Sequence, residues 1–170
     1  MNYILVGNII TLIGSFIMLG VGFLKKRKQI LSVQIVQFSV MCLGNFVLRG
    51  YSGSLSNIIT ITRNAVSLKR PFTLPFKLGF TAAHVLLTVC INRAGLLGWC
   101  PVVATFVLTY FLDAKDERLL KAAIIVGQIF WAIYDLAIHS YTTFAFDLFT
   151  IASNLIGIIA VQRDLNRAKD

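Results

Sequence analysis

Polar and apolar positions in this chain alternate in blocks of about twenty residues, the length a helix needs to cross a membrane. Seven apolar runs can be marked: Tyr3–Leu24, Ile30–Leu48, Ser54–Leu68, Thr73–Ile91, Gly95–Leu112, Ala122–Ile138 and Thr142–Val161. Short polar clusters separate them. Lys25-Lys26-Arg27-Lys28 stops the first run, and Arg49-Gly50-Tyr51-Ser52-Gly53 reads as a tight turn. Lys69-Arg70-Pro71 ends the third run, Asp113–Lys121 forms a charged loop, and Gln162–Asp170 a charged tail. At 1.5 Å per residue, about 20 apolar residues cross a hydrocarbon core roughly 30 Å thick. The expected fold is therefore all-α and membrane-integral, with seven transmembrane helices. The first 24 residues carry no Lys or Arg, so the start reads as a mature helix rather than a signal peptide.

Composition agrees. The chain is 57% apolar and only 14% charged, with mean hydropathy +0.79, whereas a soluble domain carries roughly 25% charge. Seven spans use nearly all of the 170 residues and leave no room for a soluble catalytic domain. The net charge of +9 does not point to nucleic acid, because the basic residues sit at the ends of apolar runs rather than on one folded face. Thirteen of the 16 are Lys25, Lys26, Arg27, Lys28, Lys69, Arg70, Lys77, Lys115, Arg118, Lys121, Arg163, Arg167 and Lys169, all on one side of the expected topology. Arg49 and Arg93 fall on the other side, and Arg63 lies inside the third span. That asymmetry places the N-terminus outside and the C-terminus in the cytoplasm, in a multi-pass protein of the cell (inner) membrane.

A shift of 90 residues aligns Asn2–Arg70 with Asn92–Ala160 without a gap. Nine pairs are identical, among them Tyr51/Tyr141, Thr60/Thr150 and Asn64/Asn154. Asn45 falls on Asp135, Asn57 on Asp147, and Lys28 on Arg118. The expected organisation is a first three-helix repeat (1–70), a linker helix (71–91) and a second three-helix repeat with a cytoplasmic tail (92–170). Three helices plus one linker leave both repeats facing the same way, a parallel repeat.

Asn57, Thr60 and Asn64, spaced i, i+3 and i+7, share one helical face, and Asp147, Thr150 and Asn154 repeat the stripe. Asn45 and Asp135 occupy the paired positions on the second helix of each half, with Trp131 one turn before Asp135. If the halves face each other, these stripes line a polar space. Amides donate and accept without charge and suit the hydroxyls or carbonyls of a small polar solute. Trp131 offers a flat face for a sugar or ring. The alternative is that these side chains only join helices, at roughly 0.6 kcal/mol per bond. Arg63, Asp135 and Asp147 would cost at least about 2.5–3.5 kcal/mol each at the bilayer centre, so they should pair or face a cavity. Both aspartates lie about a turn from the outer ends of their spans and could be hydrated. His84 reads as a helix-joining hydrogen bonder, and Pro101 as a kink in the fifth span.

Nothing resembles an enzyme: there is no HExxH, GxSxG or P-loop, and no clustered Cys/His ligands. Cys42, Cys90 and Cys100 are odd in number and lack CxxC spacing, so neither a disulfide framework nor a metal is expected. No cofactor is expected. The expected partners are a small polar solute and the lipid bilayer, with a homo-oligomer left open.

The stretch Lys25–Ser32, then Leu43-Gly44, Gly50-Tyr51 and Ser56–Leu68 with Arg63, resembles the YgjV-type bacterial inner membrane proteins. So do Phe130-Trp131-Ala132-Ile133 and Asn154-Leu155-Ile156-Gly157. More distantly, the 3+1+3 plan is similar to the SWEET and PQ-loop transporters. That resemblance implies a substrate site lined by an asparagine on the third helix of each half, matched by Asn64 and Asn154, and by a bulky residue on the second helix, for which Trp131 is the counterpart. The Pro-Gln pair of that family is missing, since Gln37 follows Val36 and Gln128 follows Gly127. The expected function is alternating-access transport of a small polar, sugar-like solute. The rival is a membrane receptor or accessory subunit that binds a protein partner and moves nothing.

Overall fold

The computed structural model describes residues 2–21, 27–70, 73–111 and 117–167. Among these, seven α-helices form and no strand: α1 (Tyr3–Val21), α2 (Arg27–Val47), α3 (Tyr51–Lys69), α4 (Leu74–Ile91), α5 (Cys100–Phe111), α6 (Glu117–Ala137) and α7 (Tyr141–Arg167). A short 3-10 helix, Gly95–Trp99, leads into α5.

The helices are amphipathic in the inverted sense. On α1, Leu5, Ile9, Ile13 and Phe16 point outward while Thr11 and Ser15 are buried. On α4 the buried side chains are Lys77, His84 and Thr88, a single polar stripe, and Leu78, Leu86 and Val89 are exposed. Buried polar side chains outnumber buried apolar ones among the described residues. Water would oppose such a surface, whereas lipid accepts it, and helices in lipid are joined by small and polar contacts of this kind. The buried face of α3 is mostly small, with Ser52, Gly53, Ser54 and Ser56 letting its neighbours approach closely.

Consecutive helices pack side by side as α1–α2–α3 and as α5–α6–α7. The two rows meet along α1 with α7 and along α3 with α5, and α4 lies against α3 and α5. Several features recur 90 residues apart. The bounds of α6 are those of α2 shifted by that amount, and α3 and α7 begin at Tyr51 and Tyr141. Both intervening turns are Schellman caps. The Gly50 amide donates to the Asn45 carbonyl at 2.7 Å and the Ser140 amide to the Asp135 carbonyl at 2.8 Å. We refer to this side of the bundle as the turn end.

α4 and α7 are long and apolar enough to cross a membrane, and α1, α2 and the Gly95–Phe111 segment carry shorter apolar stretches. Several expectations need correction. Pro101 does not kink a long fifth helix. It occupies the first turn of α5, where a missing N–H breaks no helical bond. The charged loop after α5 is shorter than expected, because helix resumes at Glu117, and α7 continues through the expected tail to Arg167. Lys25, Lys26 and the 112–116 part of that loop lie outside the described residues.

Candidate functional site

Near the turn end, each row buries a polar pair. In the first row these are Asn45 on α2 and Asn57 on α3, both almost fully buried. The Asn45 Oδ1 has no donor and the Asn57 Nδ2 has no acceptor. In the second row the corresponding residues are Asp135, in the last turn of α6, and Asp147, in the second turn of α7. Their carboxyl groups lie against each other. Both Asp135 oxygens and one Asp147 oxygen lack a hydrogen-bond donor. Hydration was one expectation for these aspartates, yet both are buried where α6 packs on α7.

Deeper in the bundle, Arg63 and Asn64 organise a second cluster. Asn64 is fully buried and donates from Nδ2 to Gln34 Oε1 on α2 at 3.1 Å. Its Oδ1 accepts from Arg63 Nε and Nη2 at 3.3 and 3.2 Å. Arg63 Nη1 donates to Thr109 Oγ1 on α5 at 3.0 Å. The guanidinium is thus held by neutral oxygens, and it joins α3 to α5. His84 on α4 meets the Ser56 hydroxyl of α3 at 2.8 Å, the helix-joining contact expected of it. Arg63, His84, Thr105 and Thr109 border a cleft with room for about one water molecule.

The other candidates are dispersed. Thr60 is buried and donates to its own helix at Ser56 O, and Thr150 does the same at Phe146 O. Asn154 is half-buried and donates to Thr150 O at 2.8 Å. It does not face Asn64, since α3 packs on α2, α4 and α5 whereas α7 packs on α6 and α1. Trp131 is half-buried, edge-on to the Tyr134 ring at 6.0 Å between centroids.

Several residues outside the expected set join the two rows. The Tyr134 hydroxyl accepts the Gly53 amide of α3 at 2.8 Å. On the other seam, the Asn8 side chain accepts the Thr142 amide and donates to the His139 carbonyl, and the Thr11 and Thr142 hydroxyls meet at 2.7 Å. In three of these four bonds one partner is a backbone group, which leaves no side-chain pattern to find in a sequence. At the turn end, Arg49, Tyr51, Ser52, Arg93 and Tyr134 line a cleft of about 90 Å³. Arg49 stacks on Tyr3 at 4.8 Å and Arg93 on Tyr51 at 5.7 Å. Among the described residues no group of three or more His, Cys, Asp or Glu side chains could hold a metal ion.

No curated protein and no solved structure gives a significant match to this chain. The model of one family, Imp-YgjV, described as a bacterial inner membrane protein, matches residues 5–164. The match reaches into all seven helices and includes both buried polar pairs, and the chain belongs to this family of bacterial inner membrane proteins.

Proposed function

We propose that this protein carries a small polar, hydroxyl-bearing solute across the inner membrane, by alternating access between two parallel three-helix halves (1–70 and 92–170) linked by α4. In this reading all seven helices span the bilayer, with the N-terminus outside. The observation that carries it is the recurrence of buried, unpartnered polar atoms at equivalent positions of the two rows: Asn45 and Asn57 in one, Asp135 and Asp147 in the other. Helix joining alone gives no account of them, because a buried polar group without a partner costs free energy instead of binding helices together. A solute hydroxyl would donate to Asn45 Oδ1 and accept from Asn57 Nδ2.

Recurring helix bounds and the matched turns support the two-half organisation. The seams α1–α7 and α3–α5 exchange under the same 90-residue shift, as expected for an axis along the membrane normal. The arrangement also sets a requirement. Neither cleft described above is solute-sized, so entry requires the rows to part at a seam.

Uptake of a panel of labelled sugars, polyols and amino acids by proteoliposomes holding the purified chain tests the proposal. Saturable uptake that Asn45→Ala and Asn57→Ala abolish, while both variants stay folded, is the expected result. No uptake and no ligand-induced thermal stabilisation across the panel would turn the reading toward a receptor or accessory subunit.

A further inference from the structure

The two rows differ at their buried pairs: one offers amides and the other carboxyls. A carboxylate pair has no neutral way to rest unsatisfied. Two negative charges in contact, away from water, repel strongly and forfeit their hydration.

Among the described residues, the surroundings supply no countercharge. α6 packs on α5, α7 and the Gly95–Trp99 turn and bonds to α3 through Tyr134, and α7 packs on α6 and α1. α1, α5 and the Gly95–Trp99 turn contain no charged residue. On α3 the first cation is Arg63, 10 residues beyond Gly53, roughly 15 Å along the axis. On α6 the cations are Arg118 and Lys121, and Lys121 lies 14 residues before Asp135, roughly 21 Å along the helix axis. On α7 the first cation is Arg163, 16 residues beyond Asp147, roughly 24 Å away. Of the titratable groups in this part of the fold, Tyr134 stands beside Asp135 in sequence, Cys100 opens α5, and His139 lies in the turn after α6. Tyr134 and Cys100 bring no positive charge, and the His139 imidazole is exposed, with Nδ1 against the Tyr141 hydroxyl at 3.0 Å. Arg49 and Arg93 line the turn-end cleft, where Tyr134 and not Asp135 forms the wall. Asp135 also sits in the last turn of α6, where the helix dipole opposes a negative charge.

A metal ion does not resolve this. Sodium or calcium needs about six oxygen ligands, whereas among the described residues the pair has no third acidic neighbour, and its unpartnered oxygens are fully enclosed. A proton needs no room. Placed between the two carboxyls, it turns an acceptor–acceptor contact into an O–H···O⁻ hydrogen bond, among the shorter and stronger kinds. One proton leaves bulk water, and the pair goes from two negative charges to one.

We propose that Asp135 and Asp147 form a proton-binding site that holds one shared proton and couples its movement to the working cycle of the protein. Parting α6 from α7 or admitting water would separate the carboxyls, hydrate them and release the proton. The coupling rests on the carrier reading above; the site itself does not.

Infrared spectroscopy of the purified full-length chain in lipid at neutral pH tests the site without a solute. The fold should accept Asp135→Asn and Asp147→Asn, because asparagine already occupies the equivalent positions 45 and 57. The difference spectrum between wild type and the double variant should show one protonated carboxyl and one carboxylate. Two carboxylates, or two protonated acids, would overturn the shared proton. Far-UV circular dichroism confirms that the variants are helical, and each single asparagine variant should lose the shared-proton band. In proteoliposomes, an acidic exterior should accelerate solute uptake by wild type and leave Asp135→Asn unaffected; equal acceleration would overturn the coupling. Absence of any uptake would count against the carrier reading, with the infrared result still deciding the site.

Discussion

Arg49 and His139, 90 residues apart, hold the same left-handed backbone conformation, with φ of 63° and 61°. Each is the residue that reverses the chain between the last two helices of its row, and each is the position where glycine is favoured. A side chain there costs about 1–2 kcal/mol. Glycine recovers that, less about 0.5–1 kcal/mol of extra chain entropy lost on folding. His139→Gly is therefore expected to stabilise the protein by about 0.5–1 kcal/mol, read as a higher midpoint of thermal unfolding in detergent. Arg49→Gly should gain less, because it also removes the stacking of Arg49 on Tyr3. The His139 imidazole also meets the Tyr141 hydroxyl at 3.0 Å on the exposed side of the turn, and a lower midpoint for His139→Gly would show that this contact outweighs the backbone gain.

The Tyr134–Gly53 hydrogen bond ties α6 to the start of α3. Tyr134→Phe keeps the ring in place and strips the acceptor from a buried amide, for an expected loss of about 1–3 kcal/mol. The adjoining cleft sets where in that range the value falls, since a water entering from it can replace the hydroxyl. An unchanged unfolding midpoint would mean that the amide has no need of the tyrosine.

Two glycines separate close packing from open space. A Cβ on Gly44 of α2 would lie 2.5 Å from Thr11 Cγ2 and 3.2 Å from the Thr11 amide nitrogen of α1. Thr11 cannot rotate away freely, because its hydroxyl is engaged by Thr142. Gly44→Ala should destabilise by about 1–3 kcal/mol, the usual cost of overpacking. A Cβ on Gly79 of α4 would meet nothing within 4 Å. Gly79→Ala should stabilise by up to about 1 kcal/mol through helix propensity alone. Opposite signs are the expected result, and equal effects would contradict the packing of α1 on α2.

Much of the helical plan is visible in the sequence, because it depends on local rules. Apolar runs, basic stops and the Arg49–Gly53 turn mark helix ends to within a few residues. What the stripes leave open is which helix lies opposite. Asn64 and Asn154 fall at equivalent positions, and equivalence suggests that they face each other. The rows instead meet along α1–α7 and α3–α5, which points Asn64 at Gln34 and Arg63 and leaves Asn154 on its own helix. The Pro101 expectation fails for a related reason. A proline near the middle of an apolar run looks like a kink, but a 3-10 turn ends just before it and the proline opens a helix. Asp135 and Asp147 are legible as costly residues and as partners of Asn45 and Asn57. Their contact with each other is not, since it needs the rotation of α6 against α7.

Asn64 and Asn154 provide the sharpest test of how unlike the two halves are in use. Removing the Asn64 amide deprives Gln34 of a donor and the buried Arg63 guanidinium of the oxygen that accepts two of its N–H groups. Asn64→Ala is expected to cost about 1–3 kcal/mol, toward the upper end because a charged donor is left short of an acceptor. Asn154→Ala removes only a bond to the carbonyl of its own helix at Thr150, which the helix already satisfies, and should stay within about 0.5 kcal/mol. Chemical denaturation in mixed micelles measures both. If the protein transports as proposed, Asn154→Ala should leave uptake near wild type while Asn64→Ala lowers the amount of folded protein more than the rate per folded molecule. If both variants kept full stability and both lost transport, the two amides would be matched solute ligands brought together in another state of the cycle, and the structural role assigned to Asn64 would be wrong.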